Sequence, residues 1–468
     1  MSARNRELLA FIPVAVLVTA GFTAVFLVES DQIGNLSLIY GGYFLALCLA
    51  GHLFLRIRLP YADPYLFPLC ALLAAVGLVM IFRINDTYAF KQATVFVIGL
   101  VLFILTVVFL RDYHALQRYR YLIATGGILL LAAPILPGLS HPVNGAYLQI
   151  SIGGFNFQTA EFAKVCVIIF LASYLAEKRE LLTVAARRVA GITLPPIKHF
   201  GPLLVVWGGA MVMLFAIRDL GSSLMFFGAF LALLYVATAR FSYVLVGVVL
   251  FLVGSWLLVT HIAHVQDRVD IWQHTFDHNP CHLTAQELHR GEDCGLGQVQ
   301  QSLFAQADGG LFGTGLGESL LQLTGPFAPH CTSPFPECGS ILPAPHTDFI
   351  YAVIVSELGL FGGAGVVLIY ALIAARGFKT AVMARDGFSK LLAAGLTAVF
   401  ALQAFVIIGG VVDLIPLTGV TLPFISYGGS SVVANMVLLA LLLMVSNDAR
   451  RPPREPADPL DERGVVVP

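Results

Sequence analysis

The chain has little charge: Asp, Glu, Lys and Arg make up 12% of its 468 residues, whereas 58% are hydrophobic. A soluble protein of this length needs more charge to cover the surfaces of several domains, so the composition excludes that class. The net charge is only −1, and no basic patch is interleaved with aromatic residues. Nothing therefore indicates nucleic-acid binding. With a mean hydropathy of +0.84, the sequence predicts a polytopic membrane protein.

Long apolar runs account for most of the chain. A bilayer span needs about 20 apolar residues, and lipid cannot satisfy an open strand edge, so each run predicts a helix. The fold class is therefore all-α and polytopic, with about 12 transmembrane helices. The runs lie near Leu8–Val28, Leu36–Leu55, Tyr65–Ile84, Ala93–Leu110, Tyr121–Leu136, Thr159–Ala176, Pro202–Ile217, Leu220–Thr238, Tyr243–His261, Phe349–Ala375, Leu391–Val412 and Ser430–Val445.

The loops on the two sides of this helix array differ in charge. Most Lys and Arg residues lie on the side of the two termini and of the 178–198 connector. The other side carries only Arg83, Lys91, Arg218, Arg268 and Arg290. The positive-inside rule then places both termini in the cytoplasm and the long polar loop 263–345 outside.

Cysteine is scarce, and four of the seven residues, Cys281, Cys294, Cys331 and Cys338, lie in the external loop. An even number of cysteines in an oxidising compartment indicates disulfides. The short closed segments favour the local pairs Cys281–Cys294 and Cys331–Cys338. Zinc is the alternative, since histidines lie nearby, but the spacing contains no Cys-x-x-Cys pair.

Two pairs of charges interrupt the apolar sequence. Glu161 and Lys164 are three residues apart at the start of a predicted span, so they share a helix face. Ionisable residues inside membranes are costly and usually functional, although a structural ion pair is the alternative. Arg218 and Asp219 form a tight external turn, for which a neutralised pair at a hairpin is the alternative.

Three further segments combine glycine, hydroxyl and acidic residues. Asp308–Gly317 is glycine-dense, which would let backbone N–H groups approach an anion. His346–Asp348 precedes a span, and Glu357 lies inside that span. Pro423–Ser431 combines helix-breaking residues, an aromatic ring and hydroxyls, which is typical of a broken segment lining a polar cavity. An ordinary loop is the alternative.

In this order the segments resemble the SEDS family (shape, elongation, division and sporulation proteins), in its RodA/FtsW branch. The resemblance covers roughly Tyr65 to Val445 and rests on Phe157–Lys164, Arg218–Ser223, Gly309–Gly317, His346–Ile350, Glu357–Gly359 and Leu417–Ser431. The family core has about ten spans. Residues 1–64 are therefore expected to be an added N-terminal hairpin, 65–446 the SEDS-like membrane domain and 447–468 a disordered cytoplasmic tail.

The resemblance implies a peptidoglycan glycosyltransferase that polymerises lipid II on the outer face of the bacterial cytoplasmic membrane, for elongation, division or sporulation. It also implies a class B penicillin-binding protein transpeptidase as partner. No cofactor is evident, although a divalent cation bridging pyrophosphate and carboxylate is compatible with the chemistry. We assign substrate contacts to Glu161, Lys164, Arg218, Asp219, Arg268, His346, Asp348, Ser426, Tyr427, Gly428, Gly429 and Ser430.

Such a reaction needs a base for the acceptor hydroxyl and cations for the departing pyrophosphate. Asp277 lies nearly in register with the loop Asp of the family, and Asp293 is the alternative base. The chain departs from the family at Gly145–Gln149, which lacks an Arg and a Trp, and at Gln158–Glu161. Two other classes stay open: a flippase or transporter of lipid-linked precursors, and a non-catalytic scaffold for a transpeptidase.

Overall fold

The structure is a computed structural model in which residues 3–30, 35–136, 149–152, 155–184, 187–189, 192–194, 208, 220–261, 266, 269–270, 272–276, 297–319, 342 and 344–452 are described. Its helices are α1 (Ala3–Ala10), α2 (Ile12–Ser30), α3 (Asn35–Arg58), α4 (Leu66–Ile84), α5 (Asp86–Phe109), α6 (Ala115–Arg118), α7 (Arg120–Ala132), α8 (Ala160–Val184), α9 (Leu220–Thr238), α10 (Phe241–His261), α11 (Gly297–Gly309), α12 (Ile350–Met383), α13 (Gly387–Val411) and α14 (Gly429–Arg450). Two antiparallel hairpins, β1 (Ile150–Ile152) with β2 (Phe155–Phe157) and β3 (Arg187–Val189) with β4 (Ile192–Leu194), flank α8.

Within the described ranges, eight helices are long and apolar enough to cross a membrane. They are Ala3–Leu27, Ile39–Arg58, Leu66–Ile84, Asp86–Phe109, Gly221–Thr238, Ile350–Met383, Gly387–Val411 and Gly429–Arg450. Arg120–Ile135 and Phe241–Trp256 are shorter apolar helices. The prediction of a polytopic helical membrane protein is confirmed. The count of twelve stays a prediction, since the run near 202–217 lies outside the described residues except for Gly208.

The centre of the bundle is built on α13 and α14, most of whose residues are buried. The largest contacts join α12 to α13, α5 to α14 and α7 to α8. Side-chain caps start two of these helices: Asn85 accepts a bond from Tyr88 N at 3.1 Å, and Asp386 accepts one from Ser389 N at 2.9 Å. In lipid such helices associate by close packing rather than by exclusion of water.

The structure corrects the expected continuous span Phe349–Ala375. Gly359 has φ 71° and ψ −174°, so α12 consists of a short helix up to Leu358 and a longer one from Leu360. Glu357 therefore lies just before a break in the helix and not within an uninterrupted helix. The freed amide of Leu360 donates to Gly310 O at 2.9 Å, and that of Phe361 donates to Leu311 O at 3.2 Å.

Several helix ends meet at one end of the bundle, which we call the junction end. There α4 and α13 finish, while α5, α8, α12 and α14 begin. At the opposite end, Asp63 binds Arg450 Nη2 at 2.5 Å and lies 3.4 Å from Arg376 Nε. The helices α2 and α3 pack together and against α4 and α5. The predicted boundaries at 64, 263–345 and 447 stay predictions.

Candidate functional site

Two segments far apart in sequence meet at the junction end, and α5 joins them. Ser426 Oγ donates to Thr347 O at 2.7 Å, and Tyr427 N donates to His346 O at 2.8 Å. The side chain of Gln92 donates to Ser426 O at 3.1 Å and accepts from Gly428 N at 3.4 Å. We call this contact of α5, His346–Asp348 and Ser426–Ser430 the polar junction. Sequence reasoning missed Gln92, a buried amide in an apolar helix.

The segment between α13 and α14 is non-helical, and its part from Leu422 to Ser426 is buried in protein, the setting in which membranes tolerate such backbone. Phe424 has φ 66°, and the following turn is closed by Ser426 N donating to Leu422 O at 3.0 Å. A Cβ on Gly77 of α4 would lie 2.5 Å from Ile425 O, so only glycine lets this segment approach so closely. We call this stretch, 412–428, the broken segment. The sequence predicted such a segment at Pro423–Ser431, and the polar cavity that it was expected to line stays a prediction. The role of the broken segment in substrate binding also stays a prediction.

Three rings form the half-buried surface of the polar junction. The Tyr88 ring lies 4.7 Å from the His346 ring and 5.0 Å from the Tyr427 ring, between centroids. Burial, with a smaller effect of Tyr88, raises the pKa of the Tyr427 hydroxyl, which therefore stays protonated. The exposed Lys91 ammonium lies 5.9 Å from the centroid of the Tyr88 ring. Ser430 Oγ accepts from Gln158 N at 2.7 Å, which attaches the start of α8.

Glu161 and Lys164 belong to a buried set of four side chains, the buried quartet, which Gln403 and Asn435 complete. Lys164 Nζ lies 2.5 Å from Glu161 Oε2 and 2.6 Å from Gln403 Oε1. It also donates to Asn435 Oδ1 at 3.3 Å. Gln403 Nε2 donates to Glu161 Oε1 at 3.0 Å and to Thr421 O at 2.9 Å.

The buried quartet joins α8, α13, α14 and the broken segment through groups that bond one another. Both charged side chains are almost fully buried, with exposures of 1% for Lys164 and 2% for Glu161. A substrate would reach these groups only if the quartet opened, so their assigned substrate contacts stay predictions. Polar amides in the middle of apolar helices were the signal that would have found Gln403 and Asn435.

The amides of the glycine-dense segment, which the sequence predicted could approach an anion, bind groups of the protein itself. Thr314 N donates to Ser356 O at 3.0 Å, and Gly315 N donates to Glu357 O at 3.1 Å. A Cβ on Gly313, whose φ is 85°, would lie 2.1 Å from Glu357 O. The glycines let this loop pack directly on the backbone at the break in α12.

The anion bound by this loop is the side chain of Glu357 itself. Its carboxylate accepts from Gly317 N at 3.2 Å and from Ser319 Oγ at 2.7 Å. Arg83 Nε lies 3.3 Å from the same carboxylate, and Arg83 Nη2 donates to Gly317 O at 2.6 Å. Arg83 is thus bound by the loop and by Glu357. Of the described cations at the junction end, only Lys91 is exposed.

The described parts of the long loop pack against the end of α13. Trp272 Nε1 donates to Asp413 O at 3.0 Å, and Ser302 Oγ donates to Val411 O at 3.1 Å. Phe276 packs edge to face on Phe304, with ring centroids 6.4 Å apart. Burial raises the pKa of Asp413 more than its bond with Thr275 lowers it. Sequence reasoning overlooked this acidic residue, which lies just beyond an apolar helix.

The remaining predicted site residues lie outside the described residues. These are Asp277, Asp293, Arg218, Asp219, Arg268 and the cysteines Cys281, Cys294, Cys331 and Cys338. Asp277 directly follows Phe276, the last described residue before that gap. Over the described part of the chain, no group of three or more His, Cys, Asp or Glu side chains forms a metal site. The divalent cation stays untested.

Apolar helices of span length, one of them broken at Gly359, define a multi-pass membrane protein. Residues 64–451 match the FtsW, RodA and SpoVE family of cell cycle proteins, and the chain belongs to that family. It is 40% identical over 465 residues to the peptidoglycan glycosyltransferase RodA of Mycobacterium leprae. The alignment covers 96% of this chain and 92% of the relative. It is 29% identical to stage V sporulation protein E of Bacillus subtilis, covering 83% of this chain and 98% of the relative.

Solved structures share the fold. A chain from a peptidoglycan synthase complex, described as coordinating polymerization and crosslinking, aligns with a TM-score of 0.62 at 23% identity, covering 84% of this chain and 99% of that one. RodA of Thermus thermophilus aligns with a TM-score of 0.55 at 22% identity, covering 84% and 98%. At these identities the likeness concerns the fold alone.

Proposed function

We propose that this chain is a peptidoglycan glycosyltransferase that polymerises lipid II into glycan strands. The observation that carries the proposal is the 40% identity, across 96% of the chain, to a relative named for that activity. The structure supports it with a polar junction at the end of an apolar bundle. A lipid-linked donor needs this arrangement, because its tail stays in the bilayer while its sugars and pyrophosphate require a polar site.

In the proposed reaction an acceptor hydroxyl attacks the anomeric carbon of the donor and displaces the pyrophosphate. Asp277 takes the proton from that hydroxyl, and Asp293 is the alternative base. Lys91 is the described cation best placed to meet the pyrophosphate, because Arg83 and Lys164 are bound to carboxylates within the fold. The half-buried rings of Tyr88 and Tyr427 offer faces on which sugar rings pack.

We further propose that the junction end lies outside the bacterial cytoplasmic membrane. Arg376, Arg385, Arg450 and Arg451 cluster at the opposite end, in agreement with the positive-inside rule. A class B penicillin-binding protein is the proposed partner. The likeness to a chain from a complex for polymerization and crosslinking supports a transpeptidase in this role.

Purified protein reconstituted in liposomes with labelled lipid II tests the activity. We expect glycan chains longer than the disaccharide unit, separated by gel electrophoresis. Movement of lipid II between leaflets without glycan formation would identify a flippase. Neither activity, with retained binding of the transpeptidase, would identify a scaffold. Each of these two results overturns the proposed function.

A further inference from the structure

An apolar cavity of about 330 Å³ lies between the N-terminal helices α2 and α3 and the helices α4 and α5. Aromatic rings form much of its wall, including Phe22, Tyr40, Phe44 and Phe82. The Phe22 and Phe82 rings pack edge to face with centroids 5.3 Å apart. The cavity is separate from the polar junction, whose rings Tyr88, His346 and Tyr427 are not among its lining residues.

The position of the cavity decides what fills it. Its walls are membrane-spanning helices, and it is bordered by Ile39, Tyr43 and Phe90, whose side chains are 61%, 52% and 69% exposed. Water would find few polar partners there, and an empty space would cost the lining its dispersion contacts. The surrounding solvent is lipid. Because a cavity of about 150 Å³ already holds benzene, this one accommodates a chain segment of roughly ten carbons.

The charge at the cavity favours one kind of lipid. Asp86, the first residue of α5, is exposed and is the only charged side chain among the described residues that line the cavity. A carboxylate repels a phosphate or pyrophosphate placed alone against it and attracts an ammonium group. The Lys91 ammonium lies over the Tyr88 ring, which does not line the cavity.

We propose that this cavity binds one acyl chain of a phospholipid whose headgroup carries an amine, with the ammonium group at Asp86. The lipid fills the space between the added N-terminal helices and α4 and α5. This site is independent of the proposed reaction, since a pyrophosphate-linked donor has the wrong headgroup charge for Asp86.

Native mass spectrometry of the full chain tests the proposal, using phosphatidylethanolamine, phosphatidylglycerol and undecaprenyl phosphate as probes. We expect the wild type to retain one phosphatidylethanolamine after detergent washing. Ala93→Phe places a ring inside the cavity and is expected to lower retention about tenfold or more. Val101→Phe is the matched control, because Val101 lies on the same helix, is exposed and does not line the cavity.

The headgroup is tested by Asp86→Asn, which should remove the preference for phosphatidylethanolamine, and by Asp86→Lys, which should reverse it towards phosphatidylglycerol. Ala93→Leu fills less of the cavity and should show a smaller loss, even where Ala93→Phe folds poorly. Equal retention in Ala93→Leu and Val101→Phe overturns the site, as does a wild type without stoichiometric lipid. Preferential binding of undecaprenyl phosphate overturns the assigned lipid and assigns the cavity to the substrate.

Discussion

At the scale of single residues, the buried quartet shows how a charged pair is accommodated inside an apolar bundle. Lys164 directs its three ammonium protons to Glu161, Gln403 and Asn435, so its charge is fully solvated by protein groups. Removing one member of a buried ion pair leaves an uncompensated charge, which is the costly event. Replacing both members removes that cost.

Glu161→Gln is therefore expected to destabilise the protein by about 3–5 kcal/mol, because Lys164 loses its counter-charge. Thermal unfolding in detergent measures this loss. The matched control is Glu161→Gln with Lys164→Met, which removes both charges and should recover most of the stability. A single variant that is as stable as the wild type yet inactive would instead place Glu161 on the substrate, and a stable, active one would contradict both interpretations.

The loop carboxylate gives the second residue-level prediction. A sugar hydroxyl has a high pKa, so a positioned base accelerates its attack by about 10²–10⁴-fold. Asp277→Asn should lose polymerisation to this extent and keep lipid II binding and partner association, whereas Asp293→Asn should be much milder. Product length from labelled lipid II is the measurement. Full synthesis by Asp277→Asn would transfer the role to Asp293, and full synthesis by both variants would exclude this mechanism.

At the scale of elements, the break in α12 and the glycine-dense loop stabilise one another. The break frees the amides of Leu360 and Phe361 and the carbonyls of Ser356 and Glu357, and the loop supplies their partners. Arg83 and the carboxylate of Glu357 join the two elements to α4. The short helix Ile350–Leu358 connects the break to the polar junction, since α12 begins directly after His346–Asp348.

Gly359→Ala tests the break. A Cβ there would lie 2.4 Å from Gly313 N, and φ is 71°, so we expect a loss of at least about 1–3 kcal/mol with reduced polymerisation. Gly365→Ala is the matched control in the same helix, because its Cβ would meet nothing within 4 Å. It should stabilise by about 0.5–1 kcal/mol. Equal melting temperatures for the two variants would contradict this account.

At the scale of the whole molecule, ionic contacts join several helices at the end opposite the polar junction. Asp63 joins the segment before α4 to Arg376 of α12 and Arg450 of α14. His114 connects the turn after α5 to the start of α13, since Nδ1 lies 2.8 Å from Asp112 and Nε2 lies 3.2 Å from Asp386. These contacts join helices that are far apart in the sequence and fix their relative positions.

His114 predicts a pH dependence of stability. Burial lowers the pKa of His114, but the bonds to Asp112 and Asp386 outweigh burial and raise it above its usual 6.5. Because the folded pKa is the higher one, the stabilisation is complete below 6.5 and is lost as pH rises through the folded value. The difference in melting temperature between wild type and His114→Asn should therefore be larger at pH 6 than at pH 9. The opposite trend would contradict the raised pKa.

Much of the architecture could be predicted because the bilayer leaves few choices. Apolar runs of span length must be helices, so most helices appear where the sequence placed them. The motifs at 157–164, 346–350 and 417–431 were singled out as candidate substrate contacts, but that they contact one another was not predicted. The break at Gly359 was missed, since a glycine within an apolar run does not by itself distinguish a helical position from a left-handed one.

By itself, the sequence determined the membrane environment, the helical class and the family, because these depend on hydropathy and on ordered local motifs. Only the tertiary structure decided which polar groups neutralise one another. Arg83 lies on the predicted outer side and Lys164 was assigned a substrate contact. In the structure, however, Arg83 binds Glu357 of a distant helix, while Lys164 binds Glu161 and Gln403. Glu357, Gln403 and Asn435 belong to helices distant in sequence. The local spacing that suggested a Glu161–Lys164 pair could therefore not reveal whether these charges face a ligand or the protein itself.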